Sequence, residues 1–322
     1  TVALCDEPGG SGDGVGGVWG VPDSRCPVTF VNGNTGAVGY PIAASTSYSV
    51  GYEKWVKVVP LSNGNYVVVR SSWGPGSERG AVSWGSGTTG LAGPVNTSNA
   101  LTGANDGDRV GGGGVVPLAN GNYVVVSPSF GYGSTTALGG LTWMNGGAPA
   151  TGVANLANTR IAPYGPARSG ITWHAIPLAN GHYFVGMPNL QSTLEGGWSW
   201  GNGRASSSGE FNATNTVIGE PGEFLGGNEL IPLPDGRVVA FSRTHASGGA
   251  SGVGAACEYA GTGPVSGGVT EAYCVIGDTA GAGAHWQFAT APSGTPWVVL
   301  RPKEHKLTIV TAPDRIFAHG FE

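Results

Sequence analysis

The sequence predicts an all-β fold, a five-bladed β-propeller of ~57-residue four-stranded blades, closed by N- and C-terminal strands in one composite blade. Three observations lead there: a phrase that recurs at near-constant spacing, the lack of any helical period between its copies, and an aromatic supply large enough for a core. The phrase reads Val59-Pro60-Leu61-Ser62-Asn63-Gly64-Asn65-Tyr66-Val67-Val68-Val69 and returns as Val116-Pro117-Leu118-Ala119-Asn120-Gly121-Asn122-Tyr123-Val124-Val125-Val126. Later copies are Ile176-Pro177-Leu178-Ala179-Asn180-Gly181-His182-Tyr183-Phe184-Val185, Ile231-Pro232-Leu233-Pro234-Asp235-Gly236-Arg237-Val238-Val239 and a degenerate Ala291-Pro292-Ser293-Gly294-Thr295-Pro296-Trp297-Val298-Val299. The anchor prolines step by 57, 60, 55 and 60 residues, and a period of that length marks a repeat architecture.

Each phrase has the chemistry of a β-hairpin. A strand ends at Pro-Leu, because Pro has no N–H for a central ladder. Asn-Gly or Asp-Gly supplies a tight, two-residue turn, and a β-branched and aromatic strand follows. A third strand recurs as Gly80-Ala81-Val82-Ser83-Trp84-Gly85, Gly140-Leu141-Thr142-Trp143 and Gly197-Trp198-Ser199-Trp200-Gly201, with Trp84, Trp143 and Trp200 expected in the core. An outer segment runs from Gly93-Pro94-Val95-Asn96 to Ala100-Leu101-Thr102-Gly103 and is echoed by Asn215-Thr216-Val217-Ile218-Gly219. The stretch from Cys26-Pro27-Val28 to Val50-Gly51 aligns with a third and fourth strand, and residues 284–302 with a first and second. Joined, these halves give the composite blade and remove an open edge. The organisation expected is residues 1–24 as an N-terminal segment tied by a disulfide, 25–308 as the propeller and 309–322 as a C-terminal tail. An open β-solenoid or a sandwich is the alternative architecture.

Composition narrows the function. Of 322 residues, 60 are Gly and 22 Pro, a level that suggests disorder, but 40% of the chain is hydrophobic and it holds 10 Trp, 10 Tyr and 9 Phe. Charged residues make up 11% and the net charge is −5, which removes the basic footprint that nucleic-acid binding requires. No apolar run approaches the ~18 residues of a membrane span. The chain opens at Thr1 without a leader-like segment, which reads as a processed, mature form. Four cysteines in two local pairs predict Cys5–Cys26 and Cys257–Cys274 bridges, although four cysteines allow three connectivities. Disulfides place the protein outside the reducing cytosol, secreted or at the cell surface.

The repeats resemble FG-GAP-type units of integrin α-chain propellers, and more closely a family of haemagglutinin- or adhesin-like repeats from secreted bacterial proteins. The matching residues are Asp108-Arg109-Val110-Gly111 and Glu223-Phe224-Leu225-Gly226 opening a blade, the Asn-Gly hairpin, Val126-Ser127-Pro128, and Gly140-Leu141-Thr142-Trp143. The resemblance covers about residues 25–302 and implies the fold; it implies an activity only weakly, because propellers host many functions. The calcium-binding members carry an Asp-rich hairpin loop; the short Asn-Gly loops here have too few carboxylates for such a cage. Asn105-Asp106-Gly107-Asp108 is the one loop with ion-holding composition, an ordinary solvated turn being its plainer reading.

No G-x-S-x-G elbow stands between a strand and a helix, no helix pattern exists to follow one, and no H-E-x-x-H or H-x-H pair is present, so neither a hydrolase triad nor a metal site is expected, and no cofactor. A sugar-cleaving pair of carboxylates would have to come from Glu53, Asp108, Glu223 and Glu229, and the inner-strand acids of glycosidase propellers are not matched. Two sets of positions remain as candidate ligand-binding residues. Three residues before the anchor proline stand Lys57, His174 and Glu229, on equivalent first strands and expected near a ring axis, with a satisfied polar contact between blades as the alternative. Seven residues after the second-strand Tyr stand Trp73, Phe130, Leu190 and His245, with Glu304 and His305 at the fifth repeat. Aromatic faces among Asn, Ser and Gly on a loop rim suit sugar stacking; wedge residues packed between blades would carry the same signal. The functional expectation is a secreted or surface-displayed recognition module that binds glycans or a surface partner. An extracellular polysaccharide-active enzyme with a site near the axis, and a self-assembling filament or surface-layer protomer, are the alternatives.

Overall fold

A computed structural model describes residues 2–3, 29–30, 56–74, 77–91, 95–132, 137–162, 173–188, 190, 195–223, 225–227, 230–312 and 315–320. Two compact units result, one of residues 1–117 with 121–159, the other of 118–120 with 160–322. The described residues are all-β apart from two single 3-10 turns.

In the first unit, β1 (Val2–Ala3) and β2 (Thr29–Phe30) form a two-stranded antiparallel ribbon. A four-stranded meander follows: β3 (Val56–Pro60), β4 (Tyr66–Arg70), β5 (Ala81–Gly85) and β6 (Ala100–Thr102). The next repeat supplies β7 (Gly114–Pro117), β8 (Tyr123–Ser127) and β9 (Gly140–Met144), and β10 (Thr159–Ile161) begins at the unit's last residue. In the second unit Arg160 and Ile161 of β10 pair in parallel with β14 (Gly209–Glu210). Its third sheet is β11 (His174–Pro177), β12 (Tyr183–Met187), β13 (Gly197–Gly201) and β15 (Val217–Ile218). The fourth is β16 (Leu230–Pro232), β17 (Val238–Ser242), β18 (Ala255–Tyr259) and β19 (Cys274–Ile276). The fifth is β20 (Gln287–Thr290), β21 (Trp297–Arg301), β22 (Lys306–Ala312) and β23 (Arg315–Gly320).

The expected closed, five-bladed propeller is not what forms. Besides the β1–β2 ribbon, the described residues make five separate sheets, and none closes or curls into a barrel or propeller. The composite blade fails for a specific reason. Lys306–Ala312, rich in β-branched side chains, pairs antiparallel with β21, and Arg315–Gly320 pairs antiparallel with it in turn, so the last sheet is completed by the strands that follow β21. The N-terminal Thr29–Phe30 pairs instead with Val2–Ala3.

Every second strand is buried along its whole length in the first four sheets, which explains continuous runs such as Tyr66-Val67-Val68-Val69 where a one-faced sheet would alternate. In the second unit both faces of the fourth sheet are covered. Val238, Ala240, Ala255 and Cys257 pack with Phe184, Trp198 and Leu178 of the third repeat, while Val239, Phe241 and Ala256 pack with Trp286, Trp297 and Val299 of the fifth. The first strands are the exposed edges, with His174 and Pro177 exposed in β11 and three of four residues exposed in β20.

The turns are longer than the two residues expected. Leu61 N–H donates to Asn65 C=O (2.8 Å) and Gly64 N–H to Leu61 C=O (3.1 Å), a β-turn closed by a glycine at φ +86°. That is the three-residue loop in which glycine takes the left-handed position. The same bonds recur at Leu178/His182 and Leu233/Arg237. Gly85 and Gly201 are needed for another reason: a Cβ there would stand 2.3 Å from the Tyr66 ring and 1.9 Å from the Tyr183 ring.

Across strands three and four one position carries the same lock in different chemistry. Thr142 and Thr159 share a hydroxyl hydrogen bond of 2.8 Å, and Ser199 Oγ donates to Asn215 C=O at 2.6 Å. In the fourth sheet Cys257 and Cys274 stand directly opposite and are joined by a disulfide. Cys5 and Cys26 lie outside the described residues.

Two outcomes follow. Gly201→Ala is expected to cost about 1–3 kcal/mol in urea unfolding, while Gly263→Ala, with nothing within 4 Å of the added methyl, leaves the midpoint unchanged. Replacing both Cys257 and Cys274 by Ala is expected to cost about 3 kcal/mol, as closure of a loop of this length does, read by the same denaturation.

Candidate functional site

The polar side chains of the repeats converge on the joints between neighbours. The turn asparagine works in two directions. Its Oδ1 accepts from the backbone two residues on, as in Asn65 N–H to Asn63 (3.1 Å) and His182 N–H to Asn180 (3.0 Å). Its Nδ2 donates into the next repeat. Asn63 reaches Gly121 C=O (3.3 Å) and Gly146 C=O (2.8 Å). Asn120 reaches Gly181 C=O (3.1 Å) and Gly203 C=O (2.7 Å), and Asn180 reaches Gly236 C=O (3.3 Å) and Gly261 C=O (3.0 Å). The third-strand tryptophans join in: Trp84 Nε1 donates to Gly146 C=O (2.7 Å) and Trp200 Nε1 to Gly261 C=O (2.8 Å). Trp84, Trp143 and Trp200 are half-buried rather than enclosed in a core; the indole is placed to reach a neighbour's carbonyl.

The second residue after the turn asparagine accepts from the loop after strand three. Gly87 N–H donates to Asn65 Oδ1 (3.0 Å), Gly146 N–H to Asn122 Oδ1 (3.1 Å) and Gly203 N–H to His182 Nδ1 (3.2 Å). Accepting that bond requires an unprotonated Nδ1. Burial, and then the charge of Arg204, hold the His182 pKa below its ordinary value.

The fourth turn carries Asp235, which caps Arg237 N–H (3.1 Å) but has no N–H to donate. Arg237 replaces the missing donor: it pairs with Asp235 and with Glu258 (2.5 Å), and donates to Gly294 C=O (3.4 Å) and Thr295 Oγ1. Glu258 takes the place of the strand-three tryptophan and accepts from Trp297 Nε1. Burial works against the charges, yet the bonds and charge of Arg237 hold the Asp235 carboxyl below its usual range, and the two carboxylates hold Arg237 above its own.

A buried carboxylate marks a second part of three of the joints. Asp108, 2% exposed, accepts from Asn105 N–H (2.8 Å) and Gly131 N–H (3.0 Å); its oxygens bond backbone N–H groups, and Asp106 pairs with Arg79. Glu223 accepts from Glu220 N–H (2.8 Å), and its Oε1 stands 2.6 Å from His245 Nδ1, with the Thr244 hydroxyl donating to its backbone carbonyl. Glu304 accepts from Asp278 N–H (2.8 Å) and Thr279 N–H (3.3 Å), with Arg301 Nη1 3.0 Å from its other oxygen. Arg160 is a buried cation of the same kind, over the Phe211 ring at 3.9 Å; burial, partly opposed by Tyr183, lowers its pKa to about 10.

The positions seven residues after the second-strand Tyr therefore fall at these joints. Phe130 (1% exposed), Leu190 and His245 are buried, and Trp73 is half-buried against the Tyr66/Val68 cluster. Their loops are held by backbone bonds such as Gly139 N–H to Phe130 C=O. His305 is exposed in a left-handed conformation, φ 52°. Lys57 on β3 and His174 on β11 are exposed at matching register, opposite Val69 and Gly186, and belong to different units. Glu229 and Glu53 lie outside the described residues. Among the described residues no three His, Cys, Asp or Glu side chains gather into a metal-binding group, and no helix is long and apolar enough to cross a membrane. The roles of Asn63, Asn120 and Asn180 as links between repeats were missed, although their spacing with the anchor prolines is visible.

Residues 60–112, 117–162 and 177–223 match a family described as a repeat of unknown function (DUF5650). The match therefore recurs three times along the chain. Two of the matched segments, 117–162 and 177–223, open on an anchor proline, as does 60–112, and each takes in the turn asparagine, the buried second strand and the third strand. No curated protein matches the chain.

His182 yields a pH prediction. Its folded pKa lies below the unfolded value of ~6.5, so the unfolded chain binds the extra proton first on acidification. The stability this group contributes is present above ~6.5 and is lost as pH falls through the folded value. Urea midpoints at pH on either side of ~6.5 are expected to fall on acidification in the wild type. His182→Asn, which restores the residue type of the first two repeats, is expected to remove part of that fall.

Proposed function

We propose that the chain is a non-enzymatic recognition module, adhesin- or lectin-like, of a secreted or surface-displayed protein, and that it binds through the exposed first strands of its sheets. One observation carries this reading. The joints engage the buried polar groups, while one register position of the first strand, opposite the fourth residue of the second, carries a different exposed side chain from sheet to sheet: Lys57, His174 and Gln287. Repeat proteins recognise partners through such variable positions on a repeated scaffold. Extended glycans suit a face low in charge, with short polar groups for hydroxyls, and the Cys257–Cys274 disulfide fits an oxidising compartment. An enzymatic reading gains nothing from the close acid–histidine pair found among the described residues: Glu223 and His245 are 3% and 6% exposed, closed to a polymer substrate.

The test is a glycan array and a surface-protein binding screen on the oxidised chain, with and without EDTA. Saturable binding that weakens about tenfold or more, roughly 1.4 kcal/mol, in Lys57→Ala or His174→Ala is the expected outcome. Binding that both substitutions leave unchanged, or no saturable binding in either screen, contradicts the reading.

A further inference from the structure

The described residues hold five Asn-Gly pairs, at 63–64, 120–121, 145–146, 180–181 and 202–203; Asn32-Gly33 lies outside them. Four of the five glycines are buried: Gly121, Gly146, Gly181 and Gly203. A neighbour is pressed on each. Asn63 lies 2.9 Å from the Cβ position of Gly121, Asn120 lies 3.0 Å from that of Gly181, and the carbonyls of Gly121 and Gly181 stand 1.7 and 1.8 Å from those of Gly146 and Gly203. Gly64 differs from all of them. It is exposed, and nothing lies within 4 Å of its Cβ position, because among the described residues no turn asparagine reaches it from a preceding repeat.

We propose that Asn63 is a site of spontaneous deamidation that releases the joint between the first and second repeats. The amide nitrogen of Gly64 attacks Cγ of Asn63, and the side-chain amide leaves as ammonia. Water then opens the cyclic imide at either carbonyl, leaving aspartate or isoaspartate; no oxidant or reductant takes part. Ring closure needs an unhindered following residue and access for water, and the turn at 63–64 alone among the five offers both. The carboxamide itself is held alike in Asn63, Asn120 and Asn180 by its bonds into the next repeat, so the exposed glycine sets the order of reaction.

The consequence follows from the same bonds. The product carboxylate keeps the acceptor that caps Asn65 N–H but loses the donor to Gly121 and Gly146, and turns a negative oxygen toward two carbonyls. The fourth repeat shows what tolerates an acid here: Asp235 is accompanied by Arg237, which donates to the fifth repeat in its place. The first repeat has Asn65 and Trp84 at the positions of Arg237 and Glu258, so no cation stands ready to compensate.

The test is peptide mapping by mass spectrometry of the intact, oxidised chain held at mildly alkaline pH. The expected result is conversion at Asn63 well ahead of Asn120, Asn145, Asn180 and Asn202. Equal conversion across the five, another of them first, or no conversion at Asn63 overturns the assignment. For the consequence, Asn63→Asp is expected to lower the melting temperature by about 2–4 °C and to raise hydrogen exchange at Gly121 and Gly146; an Asn63→Asp protein indistinguishable from wild type in both overturns the release.

Discussion

The structure depends on one turn carboxamide in each of the first three repeats. The turn asparagine caps its own hairpin with oxygen and grips the next repeat with nitrogen, so formation of a turn and docking of a neighbour are a single event. A buried carbonyl deprived of such a donor costs about 1–3 kcal/mol. Gly146 C=O accepts from Asn63, Asn65 and Trp84 together, so the side chains that read as hairpin and core signals also bind adjacent repeats. Nearest-neighbour coupling of this kind is what sums to stability in repeat proteins.

Around that joint the chain varies the chemistry and keeps the geometry. A hydroxyl pair at Thr142 and Thr159, a hydroxyl–carbonyl bond at Ser199 and a disulfide at Cys257 each tie the third strand to the segment that follows it. The Asp235–Arg237–Glu258 cluster stands in for asparagine and tryptophan in the fourth repeat. A carboxylate bridges joints from the earlier repeat as Asp108 or Glu223 and from the later one as Glu304. The first strands carry none of these duties, which leaves Lys57 and His174 exposed on edges whose backbone is already placed.

Much of this was legible. Period, strand order and the hairpin position follow from Pro60, Asn63-Gly64 and Tyr66 and their copies, because local turn chemistry and unbroken β-branched runs act over a few residues. Closure was not legible. It depends on which strand pairs with β21, and the resemblance between residues 26–51 and a third strand competes with Lys306–Ala312, which follows β21 directly. The three-residue loop was misjudged because Asn-Gly suits several hairpin types and the choice rests on the Leu61–Asn65 closing pair. The seven-residue positions read as a rim because spacing reports where a side chain leaves a strand and not which way the loop folds; Phe130 and His245 turn inward onto the joints. The double role of the asparagines requires contacts 56–61 residues away in sequence, beyond the reach of any local signal.

The central claim is tested most directly by comparing Asn180→Asp with Asn202→Asp in equilibrium unfolding. Both substitutions preserve an oxygen that caps a local turn, and only the first removes a donor from the neighbouring repeat. The account predicts a loss of about 1–3 kcal/mol for Asn180→Asp and within about 0.5 kcal/mol of wild type for Asn202→Asp. Equal stability of the two variants would contradict it.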